Sequence, residues 1–408
     1  MSKSIPNEWL ASTVGNACQI RNDFRLPISR EERADVAGIY PYYGPTGELD
    51  RIDHYRLDGT FALIGEDGDH FLDVEKKPQT ILVSGKFNVN NHAHVIESTA
   101  ACGAEWFYNY FRHRSLKPYL TRQGAGRYKL NKAALQELTI ILPPVQEQEA
   151  INALFREWDT AIEKNEQLIA AKLRRNQVLS NQLLFGHVRF RQGNTKATRS
   201  LHWFSAPNDW QVVEIGKVAR EVSTLNENDD ELPILSCTKH HGLVESLKYF
   251  DKKVFNHDTS KSKIVLHRQF AYATNHIEEG SIGYQDFVDA GLVSPIYTVF
   301  QSDAKKIDDG YFYKLLKTEK LRQIFSARTN SSVDRRGSLR WKDFARIYIP
   351  LPPLDEQREI NAVLDDAKRE IVLLQIEVKA LKQQKRGLMQ KLLTGQWRVK
   401  VAETEVSP

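Results

Sequence analysis

Histidine pairs are the first residues in this sequence that invite chemistry. His92 and His94, and the adjacent His240 and His241, could hold a metal ion, but no cysteine or carboxylate stands at ligand spacing from either pair. Surface or nucleic-acid-facing histidines are the expectation instead. Asp73, Glu75 and Lys77 alternate as a nuclease carboxylate–lysine set would, yet they lie between Gly68 and Pro78, where clustered charge is ordinary turn chemistry. Glu66-Asp67-Gly68-Asp69 lacks the spaced oxygen ligands of a calcium loop. There is no phosphate-cradling Gly-x-x-x-x-Gly-Lys-Ser/Thr loop, and no glycine-rich cofactor loop between a strand and a helix. Leu-Pro-Pro-Val at 142–145 and Leu-Pro-Pro-Leu at 351–354 lack the leading Asn or Asp and the trailing aromatic residue of an amino-methyltransferase motif. The sequence predicts no catalytic residue and no metal.

What remains is suited to binding. Two basic, glycine-containing stretches lie upstream of the two proline pairs. Arg122, Gln123, Arg127 and Lys129 belong to the first, and Arg328, Asn330, Arg335 and Arg336 to the second. Glycine lets the backbone approach a ligand closely, while Arg, Lys, Asn and Gln donate to phosphates and base edges. Four polar loops add further candidates: Tyr43 and Thr46; Asn88, Asn90 and His92; Thr238, Lys239 and His240; and Asn275 and Ser281.

The elements that position these residues are repeated. Leu142-Pro-Pro-Val-Gln-Glu-Gln-Glu-Ala-Ile-Asn-Ala153 returns as Leu351-Pro-Pro-Leu-Asp-Glu-Gln-Arg-Glu-Ile-Asn-Ala362. The same offset carries Leu183 onto Leu392, Gly186 onto Gly395 and Arg189 onto Arg398. A weaker echo sets Pro6-Asn-Glu-Trp9 against Pro207-Asn-Asp-Trp210. In the second copy Ile360, Leu364, Ala367, Ile371, Leu374, Val378, Leu381, Lys385, Leu388 and Leu392 step alternately by four and three, the seam of a helix packed along another helix. The first copy has Ile151, Phe155, Trp158, Ile162, Ile169, Leu179 and Leu183 on that seam, with polar Asn165, Lys172 and Asn176 between them. Those three either fix register or turn toward solvent or a partner. Prolines at the start and Gly186 and Gly395 at the end bound helices of about 40 residues, roughly 60 Å long. The expectation is that they bury their stripes against each other, antiparallel about a pseudo-twofold axis; the alternative is that each packs on its own globular segment.

The globular segments read as mixed α+β. Gly59–Gly65, Gln79–Val83, Gln269–Ala273 and Ser294–Phe300 have strand composition, and an apolar strand precedes each proline pair. Residues 1–141 and 207–350 are the expected globular domains, 142–187 and 351–396 the helices, 188–206 a linker and 397–408 a tail. Apart from their ends the two globular segments barely resemble each other, as expected for one job done on two targets. With 408 residues, 41% apolar and 27% charged, the chain has ordinary globular composition. A net charge of +5 permits nucleic-acid binding without demanding it. Cys18, Cys102 and Cys237 are too few and scattered for a disulfide framework. Neither a signal-peptide core nor a membrane-length apolar run is present, so a cytoplasmic protein is expected.

The proline pair before a long helix, closed by Leu388-Met-Gln-Lys-Leu-Leu-Thr-Gly395 and more loosely by Gln182-Leu-Leu-Phe-Gly186, resembles the specificity subunit of type I restriction-modification enzymes. Tyr43-Gly-Pro-Thr-Gly47 followed by Gly65-Glu-Asp-Gly68 is also similar to recognition-domain segments of that family. The resemblance implies two target-recognition domains that each read half of a split double-stranded DNA site, with the helix pair as a ruler across the unread spacer. It implies two modification subunits carrying S-adenosylmethionine and restriction subunits carrying ATP and Mg, with no cofactor in this chain. The rival readings are a stand-alone DNA-binding regulator or scaffold and, less favoured, a nuclease or methyltransferase in its own right.

Overall fold

In the computed structural model, residues 5–74, 77–122, 128–190, 198–250, 259–330 and 338–400 are described. The repeated segments are long helices, Val145–Leu184 and Leu354–Leu392, each beginning immediately after its proline pair. Proline lacks a backbone N–H, which costs nothing at the start of a helix, where the first N–H groups have no intrahelical partner. Gly186 and Gly395 close them at φ +70° and +71°, the left-handed conformation that a side chain disfavours.

All seam positions of both helices are buried or half-buried, while Val372, Leu373 and residues 375–377 between them face solvent. Ile151, Phe155, Ile162, Leu183, Ile360, Leu364, Ile371, Val378 and Leu392 are buried outright. Trp158, Ile169, Leu179, Leu374, Leu381 and Leu388 are half-buried. Of the polar seam residues, one bonds within its own helix and one pairs across to the other helix. Asn165 folds back onto the Ala161 carbonyl of its own helix (2.9 Å), whereas Lys172 reaches Glu370 on the other helix (2.6 Å).

The chain forms two compact units, and only the second is one continuous stretch: Met1–Glu166 joins Ile376–Pro408, and Gln167–Gln375 makes the other. The helix bounds fall inside the segments read from sequence, but each helix is divided between the units, so a globular head does not own the whole helix that follows it. Inside the first unit, Glu166 pairs with Lys382, Asp159 with Lys385 and Glu147 with Arg398, so the two helix pieces run antiparallel. Inside the second, Lys172 meets Glu370 and Arg189 meets Glu356, again antiparallel. The core of the first unit shows that the helices serve both expected packings at once. Ile151 and Phe155 share one apolar cluster with Met389 and Leu392 of the other helix, with Leu393 just past its end, and with Trp106, Phe107 and Tyr110 of the head.

In the first unit the head is a six-stranded sheet in the order Gln19–Ile20, Ala93–Glu97, Leu57–Gly65, Thr80–Val89, Ala37–Gly44, Gly47–Ile52. It is antiparallel except where Ala37–Gly44 runs parallel to Thr80–Val89. Helix Ala104–Phe111 carries Trp106, Phe107, Tyr110 and Phe111 on one face and covers the sheet with them. In the second unit a four-stranded sheet, Ala219–Val222, Tyr297–Ser302, Phe270–Ala273 and Ile282–Tyr284, packs with helices Asp309–Leu316 and Glu319–Asn330. The differing sheets account for the poor likeness of the heads in sequence.

Where scaffold meets head, the two units repeat the same contacts. Trp9 Nε1 donates to Glu147 at 3.0 Å, and Trp210 Nε1 to Glu356 at 3.1 Å. Arg398 holds the first carboxylate through Nε and Nη2 (2.6 and 2.9 Å), and Arg189 the second (2.8 and 2.7 Å). Gln148 bonds the Ala101 and Pro143 carbonyls as Gln357 bonds those of Lys306 and Pro352. Gly395 lies against Pro6 as Gly186 lies against Pro207. Among the described residues no helix is long and apolar enough to cross a membrane.

Candidate nucleic-acid interface

In the first unit three segments meet at one polar cluster: the turn after strand Leu57–Gly65, the turn before strand Ala93–Glu97, and the stem of the first basic stretch. Backbone bonds staple them, Glu66 N–H to His92 O (2.8 Å), Leu130 N–H to Glu66 O (2.7 Å) and Gly68 N–H to Tyr128 O (3.0 Å). Glu66 is the hub for charge, accepting from Arg25 at 2.7 Å and lying 3.2 Å from Lys129. Above it His92 stays exposed, 2.8 Å from Asp67, and Asn90 Oδ1 accepts the His92 N–H. Arg122 is exposed, its guanidinium over the Tyr128 ring.

Beneath the cluster His94 is 1% exposed. Its Nε2 lies 2.8 Å from the Leu130 carbonyl, which can only accept, so Nε2 carries the proton. Nδ1 then accepts from Arg25 (2.7 Å) and Asn22 (2.9 Å). Burial pushes the imidazole below its ordinary value, and Arg25 and Lys129 add to this against the Leu130 carbonyl and Glu66. A lowered histidine value means the unfolded chain takes up the proton first, so this group's contribution is intact above about pH 6.5 and is lost as pH falls through the lower folded value. The denaturation midpoint of the first unit should therefore drop between pH 7 and pH 5, and His94→Gln, which cannot titrate, should flatten that drop. An unchanged slope in the variant would remove His94 from the account.

The second unit gathers its loops differently. Hairpin Leu235–Thr238/Gly242–Glu245 exposes Lys239, His240 and His241 at its tip, with Thr238 Oγ1 accepting the His241 N–H (3.0 Å). Beside it runs the loop after strand Phe270–Ala273, containing Asn275 and the 3-10 turn Ile277–Glu279. Lys317, which caps helix Asp309–Leu316, donates to Lys239 O at 2.8 Å and to Gly280 O at 2.7 Å. Both ends of the second basic stretch reach the same place. Helix Glu319–Asn330, with Arg328 in its last turn, packs on that 3-10 turn, and Leu339 N–H bonds Thr274 O at 2.9 Å.

Several sequence candidates turn out to be structural. Asn88, expected in a loop, lies inside strand Thr80–Val89 and is fully buried, its Nδ2 on the His54 carbonyl (2.7 Å). Tyr43 is half-buried in strand Ala37–Gly44, edge-on to Phe87. Asn90 and Ser281 are 7% and 8% exposed; the Asn90 side chain caps a turn, and the Ser281 backbone bonds His276 and Ala273. Asn275 is half-buried, its Oδ1 enclosed without a hydrogen-bond donor. Thr46 is exposed at a strand turn. Gln123, Arg127, Arg335 and Arg336 lie outside the described residues, and the Asn330 side chain likewise. His92 and His94 do not share a ligand site, since one is exposed and the other faces inward. Among the described residues His276, Glu278 and Glu279 come close enough together to hold a metal ion, and His276 pairs with Glu279 within the group. Arg25 and Lys317, which organise the loops, were missed; each is distant in sequence from the loops it holds, and no spacing signals it.

Two divergent heads with clustered polar loops on one duplicated scaffold define a duplicated recognition module. The chain matches the family described as type I restriction modification DNA specificity domain twice, over residues 6–172 and 207–383, and belongs to that family. It is 33% identical over 144 residues to a type I restriction enzyme specificity subunit of Haemophilus influenzae, covering 35% of each protein. It is 23% identical over 309 residues to the MjaX specificity subunit of Methanocaldococcus jannaschii, covering 71% of this chain and 67% of that one. The fold is that of the S subunit from M. genitalium (TM-score 0.55, 14% identity, 98% of each chain) and of the HsdS subunit from Thermoanaerobacter tengcongensis (TM-score 0.51, 15% identity, 97% and 99%).

Proposed function

We propose that this chain is the DNA sequence-recognition subunit of a type I restriction-modification complex, each head reading one half of a bipartite site. The observation that carries this reading is the pairing of a repeated scaffold with unlike heads. Glu147 and Glu356 anchor both heads in one way, while the sheets and polar loops above them differ. A duplicated frame bearing different loops suits two different half-sites. Phosphate contacts from the basic stretches would set position, and the exposed tips around His92 and Lys239–His241 would meet base edges.

On this reading the chain is non-catalytic and cytoplasmic, and it docks two modification subunits that carry S-adenosylmethionine, with restriction subunits that bring ATP and Mg. One solved relative in fold comes from work on complex assembly of the type I system, which supports docking (TM-score 0.53, 14% identity). The test is methylation-sensitive sequencing of host DNA with and without this chain. Adenine methylation at one split motif, lost on deletion, is expected. Methylation that persists, or sits on an uninterrupted motif, would defeat the proposal, and a chain that binds DNA specifically but never co-purifies with a modification subunit would favour a regulator.

A further inference from the structure

We propose that Lys317 is a positioning residue for the second head, one that sets base selectivity by fixing two reading loops relative to each other without contacting DNA. The inference rests on the recognition reading above. The ammonium of Lys317 donates to the Lys239 carbonyl in the hairpin tip and to the Gly280 carbonyl after the 3-10 turn, at 2.8 and 2.7 Å. These carbonyls belong to separate loops about 40 residues apart in sequence. Among the described residues no strand ladder joins their tips: Leu235–Thr238 pairs with Gly242–Glu245, while Phe270–Ala273 pairs with Ile282–Tyr284 and Tyr297–Ser302. Behind the tips the hairpin packs on Gly283, and one half-buried cation ties the tips themselves together.

The platform beneath belongs to the packed core. Lys317 caps helix Asp309–Leu316, whose Tyr311, Phe312, Leu315 and Leu316 are buried in the main core of this unit. One turn earlier Tyr313 lies under the hairpin, so closely that a side chain at Gly242 would run into its hydroxyl. Gly242 and Gly280 hold φ +67° and +93°, backbone conformations open to glycine, which lets both loops turn sharply onto this helix face. The side chains the loops present outward, Lys239, His240 and His276, are exposed and keep their outer faces for a ligand. Base discrimination depends on bidentate geometry, which a loop shift of about 1 Å degrades. A phosphate contact, in contrast, supports every sequence equally.

The experiment measures binding of the full chain, assembled with its modification subunit, to the cognate duplex and to duplexes carrying single-base changes in either half-site. Lys317→Met keeps the aliphatic stem and removes the donors; Lys317→Arg retains a cation. Lys317→Met should lower discrimination in the second half-site about tenfold, leave the first half-site unchanged, and keep the wild-type salt dependence. Lys317→Arg should restore part of the loss. An unchanged urea-denaturation midpoint for the second unit checks that the variant head is folded. The proposal is overturned by a uniform loss of affinity with a salt slope reduced by about one, which marks a phosphate contact. It is overturned equally by unchanged discrimination in both half-sites. Wild-type protein that shows no base preference at all would instead defeat the recognition reading.

Discussion

If each head reads one half-site as proposed, inserting one heptad into each long helix, after Glu166 and after Gln375, is expected to lengthen the unread spacer of the DNA target by about three base pairs while both half-site sequences stay the same. These positions are where the two compact units divide, so every contact inside either unit is kept. Seven residues add about 10 Å of helix, and a base pair rises about 3.4 Å. Affinity should fall as well, because three base pairs turn the second half-site by about 100° around the duplex, whereas a heptad turns a helix by only about 20°. Inserting the heptad in one helix alone is expected to fail. It would force either Lys172–Glu370 and Arg189–Glu356 or Glu166–Lys382 and Asp159–Lys385 out of register. Methylome sequencing reads the spacer directly. New half-sites with the old spacer would show that the helices do not measure distance.

The largest effect on stability is expected from Arg189→Ala. The Glu356 carboxylate is 3% exposed and Arg189 15%, and the pair is bidentate, with Trp210 as the third donor. Removing the cation strands a buried carboxylate at a cost of about 3–5 kcal/mol. The equivalent Arg398→Ala should cost less, because Arg398 is 39% exposed and water screens its pair with Glu147. Adding Glu356→Gln to Arg189→Ala should recover much of the loss, since the stranded charge is then gone. Urea denaturation of the three variants checks the order, and equal losses for Arg189→Ala and Arg398→Ala would contradict it. These arginines follow the glycine that ends each helix, and each returns to the first turn of the other helix, so the ion pair couples the end of one repeat to the start of the next.

Much of the scaffold was legible in the sequence because its signal is local and periodic. A seam stepping by four and three, prolines at one end and glycines at the other are properties of neighbouring residues, and the helices obey them within a few positions. Strand composition located Leu57–Gly65 and Phe270–Ala273 for the same reason. The loops were harder. Asn88 and Tyr43 have the side chains of base readers, but strands Thr80–Val89 and Ala37–Gly44 turn one inward and pack the other on Phe87.

By itself, then, the sequence determined the duplication, the two long helices, the unlike heads and the family, all of which reside in the order and spacing of residues along the chain. Tertiary structure alone decided that each compact unit is built from both repeats, that Arg25 with His94 supports one loop cluster and Lys317 the other, and which polar residues remain exposed. The reason is physical: burial and long-range hydrogen bonds are fixed by which segments meet in space, and residues as far apart as Glu147 and Arg398 carry no mark of their meeting until the chain has closed.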